Sequence, residues 1–484
     1  MNTLYLISLS IVIAVLNIFL FTLISSKYTL KPILIIVLII SAFTSYFMDT
    51  YHVIIDKLMI QNSLQTNLNE SLDLLSFKLL LYVIFLGVLP AYLVYKVKLK
   101  SISFKEAILT KAKVLLGSLL IIVLMLLSFS KFYTSFLREH KPLRFRVNPT
   151  YWIYSIGDYI ALVTNSGKVE FKQLGLDAKI SPPNKPHKLV IMVVGEATRA
   201  DHFSLNGYKR ETNPLLKKEN IINFKEFYSC GTSTAVSVPC MFSIYDRNDY
   251  SYKKGRATEN VLDVIKHTKQ VAILWRDNNS DSKGVALRVP FEDFKNREKN
   301  RLCDDVECRD EGMLIGLDKY IEQHKNQDIL IVLHQMGNHG PAYYKRYPKD
   351  FEKFTPVCKT NQLENCTQES IANAYDNALL YSDYFLSKVI ELLKNYQNKY
   401  DTTMFYIADH GESLGENGLY LHGLPYFMAP DAQTHVASFM WFGKNNQHKV
   451  DEEKTYSQDN LFHTLLGLFN IKSKVYDKSM DILR

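Results

Sequence analysis

The first 26 residues contain no charged side chain, and the first 229 contain no cysteine. The first absence rules out a solvated surface for that segment. It also denies the segment the basic start of a secretory signal peptide. The second absence makes the six cysteines informative. All lie in the C-terminal part, in three close pairs: Cys230/Cys240, Cys303/Cys308 and Cys358/Cys366. No C-x2-C spacing occurs, which weighs against zinc ligation by these thiols. An even set at short spacings reads as disulfides outside the cytoplasm. Neighbour pairing is the simplest arrangement, although spacing alone does not fix it. A nucleic-acid binder's charge is missing too. The net charge is +8, but residues 1–140 hold 12 Lys/Arg against 6 Asp/Glu, whereas the rest hold 45 against 43. The excess belongs to the apolar part.

Four uncharged apolar runs, 1–26, 32–48, 79–95 and 114–130, are each near the lower length for a membrane-spanning helix. Between the last two lie Lys96, Lys98, Lys100, Lys105, Lys111 and Lys113, against a single Glu106. A basic loop of this kind stays on the cytoplasmic side. Everything after about residue 131 is then outside, Lys27 and Lys31 are inside, and the N-terminus starts outside. Residues 1–130 are expected to form a transmembrane helical domain. Residues 131–187 read as a connector whose Tyr151, Trp152, Tyr154 and Tyr159 suit a membrane–water interface. It ends at the Ser-Pro-Pro-Asn-Lys-Pro stretch 181–186, which suits neither helix nor central strand. In the outer loop 49–76, Asn62, Thr66 and Glu70 recur every four residues. That spacing predicts one shared helix face, either a solvated polar stripe or a face aimed at a lipid headgroup.

From Lys188 the pattern changes. Short continuous apolar runs at 189–194, 271–274, 329–333 and 404–408 read as buried parallel strands, with helical patterns around 312–323 and 370–396 between them. This alternation predicts an α/β domain over 188–484 with a mostly parallel sheet. Ligands of such sheets bind beyond the carboxyl ends of the strands. The unusual residues fall there. The first strand runs into Glu196, and the third into His334 and then Gly337-Asn338-His339-Gly340-Pro341. The fourth runs into Asp409-His410-Gly411-Glu412, with His422 following. A lone Asp-His is often only a local pair, but carboxylates and imidazoles from several strand ends suit zinc.

The segment Ser229-Cys230-Gly231-Thr232-Ser233-Thr234-Ala235 places small hydroxyl residues before an apolar run. Any one of them could be a helix N-cap. A hydroxyl at a helix N-terminus also meets backbone N–H groups and a positive dipole end, which favour an attacking alkoxide and a bound phosphoryl oxygen. Metal coordination would lower its pKa further. On these grounds Thr232, Ser233 and Thr234 are equal candidates.

Taken together, Gly-Glu-Ala-Thr-Arg-Ala (195–200), Asn-Gly-Tyr (206–208), Cys-Gly-Thr-Ser-Thr-Ala (230–235) running into Ser-Val-Pro-Cys-Met-Phe-Ser (237–243), Trp-Arg-Asp-Asn-Asn-Ser-Asp-Ser-Lys-Gly (275–284), Gly-Asn-His-Gly-Pro (337–341) and Ala-Asp-His-Gly-Glu-Ser-Leu-Gly-Glu (408–416) resemble one family. It is the lipid A phosphoethanolamine transferase family of Gram-negative bacteria, within the alkaline phosphatase and sulfatase superfamily. The resemblance implies an alkaline phosphatase/sulfatase-like periplasmic domain on an inner-membrane anchor, working as a monomer. It implies Thr234 as nucleophile, and Glu196, Asp409 and His410 as ligands, with Thr234, of a catalytic zinc. His339 and His422 would bind substrate phosphate or a second zinc. Asn279, Ser280 and Lys283 would neutralise phosphate charge, and Asn62, Thr66 and Glu70 would meet substrate from the membrane loop. Phosphatidylethanolamine would be the donor and lipid A, or another envelope group, the acceptor. Ethanolamine added there would weaken cationic-peptide binding. Five membrane helices are usual in the family, and the four found here lack the counterpart of the first.

Overall fold

The computed structural model describes residues 3–66, 68–100, 102–130, 132–133, 136, 141–164, 170–304, 307–444, 448 and 450–483. Along the first part run α1 (Thr3–Ile24), α2 (Leu30–Thr50), α3 (Lys57–Gln65), α4 (Leu68–Asp73), α5 (Phe77–Lys96), α6 (Phe104–Ser128) and α7 (Thr150–Thr164). Among the described residues, α1, α2, α5 and α6 are long and apolar enough to cross a membrane. Their large side chains point outward, as at Leu4, Ile18, Phe85 and Leu116. Only a lipid surround removes that cost, because helices satisfy their own backbone and leave apolar surface to the bilayer. The helix α6 starts ten residues before the apolar run at 114. A capping box sets its start: the Glu106 N–H donates to the Ser103 hydroxyl at 3.3 Å, and the Ser103 N–H donates to Glu106 Oε2 at 3.0 Å.

The chain divides into two compact units, Met1–Ile60 with Leu75–Ile160, and Gln61–Leu74 with Ala161–Arg484. The stretch read as one connector is therefore split. The Asn148 amide donates to the Ser41 carbonyl and the Ser45 hydroxyl, at 3.0 and 2.8 Å, and the Trp152 indole donates to the Ser41 hydroxyl at 3.2 Å. These bonds fix the start of α7 to α2 within the helical unit. The outer loop departs from the single helix its spacing suggested. Thr66 falls outside both α3 and α4, and its hydroxyl donates to the Asn62 carbonyl at 2.7 Å. A side chain that takes a helix carbonyl competes with the backbone ladder. The side chain of Glu70 lies outside the described residues.

The second unit is built on a seven-stranded sheet. Its strands are β1 (His187–Gly195), β2 (Ile221–Phe224), β3 (Val271–Asp277), β4 (Phe291–Asp293), β5 (Asp328–His334), β6 (Tyr400–Ala408) and β7 (Ser438–Phe442). In space the order is β2-β7-β6-β1-β5-β3-β4, with β7 antiparallel to both its neighbours and the other pairs parallel. The apolar runs form the middle of this sheet because both faces are covered: Leu189 to Val194 and Ile329 to Leu333 are each no more than 1% exposed. Burying each such side chain stabilises the fold by about 1.5–3 kcal/mol. The long helix α9 (Gln368–Tyr396), opened by the Thr367 hydroxyl accepting from the Ser370 N–H at 3.2 Å, buries Phe385, Leu386, Val389 and Ile390 in the same core.

The six cysteines form three disulfides in neighbour pairs, Cys230–Cys240, Cys303–Cys308 and Cys358–Cys366. With no free thiol left, zinc binding by cysteine is excluded. Closing a loop of ten residues, as in the first pair, is worth about 3 kcal/mol in the chain-entropy account.

Candidate active site

The register of the sheet brings the chemistry together. In the parallel pairs of β1, Val194 lies opposite His334 of β5, and Gly195 opposite Ala408 of β6. The next residues, Glu196 and Asp409, therefore leave adjacent strand ends at the same edge. The turn after β1 is tight, and Ala197 sits at a φ of +51°, which a residue with a Cβ adopts at a cost. The surroundings hold it there. The Ala197 N–H donates to Asp409 Oδ1 at 3.1 Å, and the Tyr375 hydroxyl donates to the Ala197 carbonyl at 2.7 Å. Gly337, at a φ of +52°, crosses the same turn. A Cβ there would lie 3.0 Å from Glu196 Cβ.

The helix α8 (Thr234–Met241) starts beside this edge, with Ser233 extended before it. The structure separates the three hydroxyl candidates. Thr232 donates to the Leu424 carbonyl at 2.6 Å, and Ser233 serves as the turn into the helix. The Thr234 hydroxyl donates to Glu196 Oε2 at 3.2 Å and lies 3.4 Å from His410 Nε2.

Four donors thus converge. His410 Nε2 lies 3.3 Å from Glu196 Oε1 and 3.4 Å from Asp409 Oδ2, and all three side chains are fully buried. The ligand atoms of Glu196, Asp409 and His410 are mutually within 4.8 Å. Zinc bonds oxygen and nitrogen at about 2.0–2.2 Å, so tetrahedral donors stand roughly 3.3–3.6 Å apart. The observed separations fit. The donor states fit as well. His410 Nδ1 sits 2.8 Å from the Gly411 carbonyl, which places its proton on Nδ1 and leaves a lone pair on Nε2. Burial pushes the His410 imidazole down to about 4, so it is neutral at physiological pH. Asp409 Oδ1 accepts from the His410 N–H at 2.7 Å, while Oδ2 is buried without a hydrogen-bond partner. A buried, unsatisfied carboxylate oxygen costs free energy unless a cation answers it.

A second group lies alongside. His410, Glu412 and His422 also present ligand atoms within 4.8 Å of one another. Glu412 is already engaged: it accepts from the Tyr343 hydroxyl at 3.0 Å and pairs with His422 Nδ1 at 2.9 Å. The His422 ring lies 4.2 Å from that of His410 and 5.6 Å from that of His339. His339 keeps a buried Nδ1 without a partner. His422 thus stands beside the cluster, and His339 stands beside His422.

The expected phosphate-neutralising residues divide. Asn279 donates to Glu196 Oε2 at 2.7 Å, within the cluster. Ser280 and Lys283 instead line a neighbouring cleft, with the Lys283 ammonium donating to the Ser280 carbonyl at 2.8 Å. Two positioning residues had no signal in the sequence. Gln458 is fully buried. Its amide donates to the Ala408 and Asp409 carbonyls at 2.8 and 2.7 Å, and its oxygen accepts from the Cys230 N–H at 2.7 Å. One side chain therefore ties the end of β6 to the loop leading into Thr234. Tyr375 pins the turn after β1, as described above. Neither residue lies near the others in sequence, and a Gln or a Tyr on a helical pattern has no distinctive spacing.

These features define a class: a membrane-helical unit joined to an α/β unit whose sheet edge gathers two carboxylates, an imidazole and a helix-N-terminal hydroxyl. Comparison with known proteins places it more closely. Residues 188–471 match the family model described as Sulfatase, and residues 13–163 match the model described as Phosphoethanolamine transferase EptA/EptB. The chain is 45% identical over 476 residues to phosphatidylethanolamine transferase Mcr-1 of Escherichia coli, covering 95% of this chain and 88% of that protein. It is 40% identical over 498 residues to phosphoethanolamine transferase EptA of Escherichia coli (strain K12), covering 100% and 90%. Among solved structures, the integral membrane lipooligosaccharide phosphoethanolamine transferase A of Neisseria meningitidis superimposes with a TM-score of 0.94 at 36% identity, covering 100% of this chain and 93% of that one. The chain belongs to the lipid A phosphoethanolamine transferase family of the alkaline phosphatase superfamily.

Proposed function

We propose that this protein transfers phosphoethanolamine from phosphatidylethanolamine to lipid A or a related envelope acceptor, through a covalent intermediate on Thr234. The reading is supported most by one observation: of three adjacent hydroxyls, only that of Thr234 points at the buried donors Glu196 and His410. The names of the relatives, transferases of this group, support the substrate class. Zinc held by Glu196, Thr234, Asp409 and His410 would supply a Lewis acid, lowering the hydroxyl's pKa and steadying charge that develops on phosphoryl oxygens. A second ion, or the substrate phosphate, would meet His339 and His422.

The chain's own residues do the rest. The Thr234 oxygen attacks the donor phosphorus and forms the new P–O bond as the bond to the diacylglycerol oxygen breaks. The proton of Thr234 is already shared with Glu196 Oε2, which can take it before it passes to the leaving oxygen. The N-terminal end of α8 aims backbone N–H groups at the phosphoryl oxygens. His339 and His422 hold the group as well. An acceptor phosphate then attacks the same phosphorus and frees Thr234. The cytoplasmic side of the basic loop 96–113, the inner membrane and the periplasm as location, and a monomeric working state belong to the same reading. So do contacts of Asn62, Thr66 and Glu70 with substrate.

The test is a mass measurement. The purified protein, incubated with phosphatidylethanolamine, gains one phosphoethanolamine on the peptide containing Thr234. An adduct that persists in Thr234→Ala, or none in the native protein, contradicts the reading.

A further inference from the structure

Beside the donor cluster lies a cleft of about 580 Å³, within the range of small-molecule sites. It shares two elements with the cluster. Asn279 bonds Glu196, and the next residue, Ser280, is already on the cleft wall. The helix α8 starts at Thr234 and presents Pro239 to the cleft, about 7.5 Å further along its axis. Four cations, Arg256, Lys283, Arg288 and Lys295, outnumber two acids in the lining, which also carries Tyr250 and Tyr252. Two of these cations have acid partners: Arg288 is bidentate to Asp263 at 2.7 and 2.6 Å, and Lys295 lies 3.8 Å from Asp293. Arg256 differs. It is exposed, donates to the neutral Tyr252 hydroxyl at 3.3 Å, and pairs with no carboxylate among the described residues. The two acids are Glu259, whose Oε2 is committed to His267 and to the Leu174 N–H, each at 2.8 Å, and Asp281, whose Oδ1 accepts from the Ser282 N–H.

We propose that this cleft holds the phosphorylated sugar of the acceptor, with Arg256 on its phosphate. The inference rests on the transfer reaction proposed above. In the second half of that reaction the cluster is filled by the phosphoethanolamine group, so the acceptor must enter from an adjoining space. A phosphate monoester carries net negative charge, whereas the donor headgroup is zwitterionic. An uncompensated guanidinium favours the former, and its planar fork matches two phosphate oxygens. In the step itself, an oxygen of the monoanionic acceptor phosphate bonds to the phosphorus held on Thr234. The P–Oγ bond breaks, its electron pair stays on Oγ, and the acceptor's proton passes to Oγ and restores the hydroxyl.

Arg256 is exposed, so its replacement leaves the core intact. With glucosamine 1-phosphate as probe, calorimetric titration of full-length, zinc-loaded Thr234→Ala should give binding that weakens tenfold or more when Arg256→Ala is added. Arg256→Lys should restore part of it. In the otherwise native protein, Arg256→Ala should form the Thr234 adduct from phosphatidylethanolamine at the usual rate, and the KM for the acceptor in its discharge should rise tenfold or more. Equal probe affinity with and without Arg256 overturns the proposal, whether or not an adduct forms. Slower adduct formation with unchanged acceptor KM also overturns it, by assigning the cleft to the donor. An absent adduct in the native protein counts against the transfer mechanism alone, because probe binding is read independently.

Discussion

Two groups of potential ligands meet at His410, and they are built differently. The inner group of Glu196, Asp409, His410 and Thr234 is sealed, and it contains a carboxylate oxygen that nothing in the protein satisfies. The outer group of His410, Glu412 and His422 is more open, and its carboxylate already accepts from Tyr343 and pairs with His422. The inner arrangement stores an electrostatic cost that a bound cation would remove. The outer one is satisfied without a cation, which suits a place where ligands come and go. On the proposed reading, Thr234 in the sealed group stays with the metal, and the histidines of the open group meet the substrate.

The comparison can be broken most severely at Thr234, the proposed nucleophile. Thr234→Ala should lower the transfer rate by roughly a thousandfold or more, measured as turnover of a fluorescent phosphatidylethanolamine, and should abolish the adduct. Next in size is loss of the metal. Asp409→Asn should release zinc, measured by elemental analysis after dialysis, and added zinc should restore activity only at much higher concentration. His422→Ala should retain the zinc and cost roughly 10–100-fold in kcat/KM. Equal zinc loss in both variants would erase the distinction between the groups. Gln458→Leu should cost about tenfold in zinc affinity, because Gln458 fixes the backbone on both sides of the cluster.

The smallest effect concerns pH. Burial raises the Asp201 and Glu416 carboxyls, but the Arg199 guanidinium outweighs it, and both sit below the usual carboxylate range. Groups depressed in the folded state lend stability above their unfolded pKa, about 4. They lose it as pH falls through the lower folded values. Melting temperature should therefore fall more steeply with acidification below pH ~4 in the native protein than in Arg199→Ala, as scanning calorimetry can show.

Much of this was legible in the sequence because its causes are local. Leu189–Val194 and Ile329–Leu333 are apolar on both sides of the pleat, which only a covered strand tolerates, and the functional residues follow directly at their ends. The four membrane helices showed themselves by length and lack of charge. Residues that act across long separations were not legible. Gln458 reaches Cys230 over 228 residues, and Tyr375 reaches Ala197 over 178. No periodicity encodes such pairs. The choice among Thr232, Ser233 and Thr234 was likewise closed to local reasoning, since all three are hydroxyls within one turn. Orientation separates them: the Thr234 hydroxyl faces Glu196 and His410, and the Leu424 carbonyl that takes Thr232 comes from a distant loop. Asn62, Thr66 and Glu70 mislead in the opposite direction: their spacing is helical, but the Thr66 hydroxyl takes the Asn62 carbonyl, and the helix breaks there.

The most direct measurement is anomalous diffraction at the zinc edge from crystals of the full-length protein at stoichiometric zinc. A single peak about 2.0–2.2 Å from oxygens of Glu196, Thr234 and Asp409 and from His410 Nε2 is the predicted result. A single peak bound instead by His410, Glu412 and His422, with the inner group empty, would contradict the account.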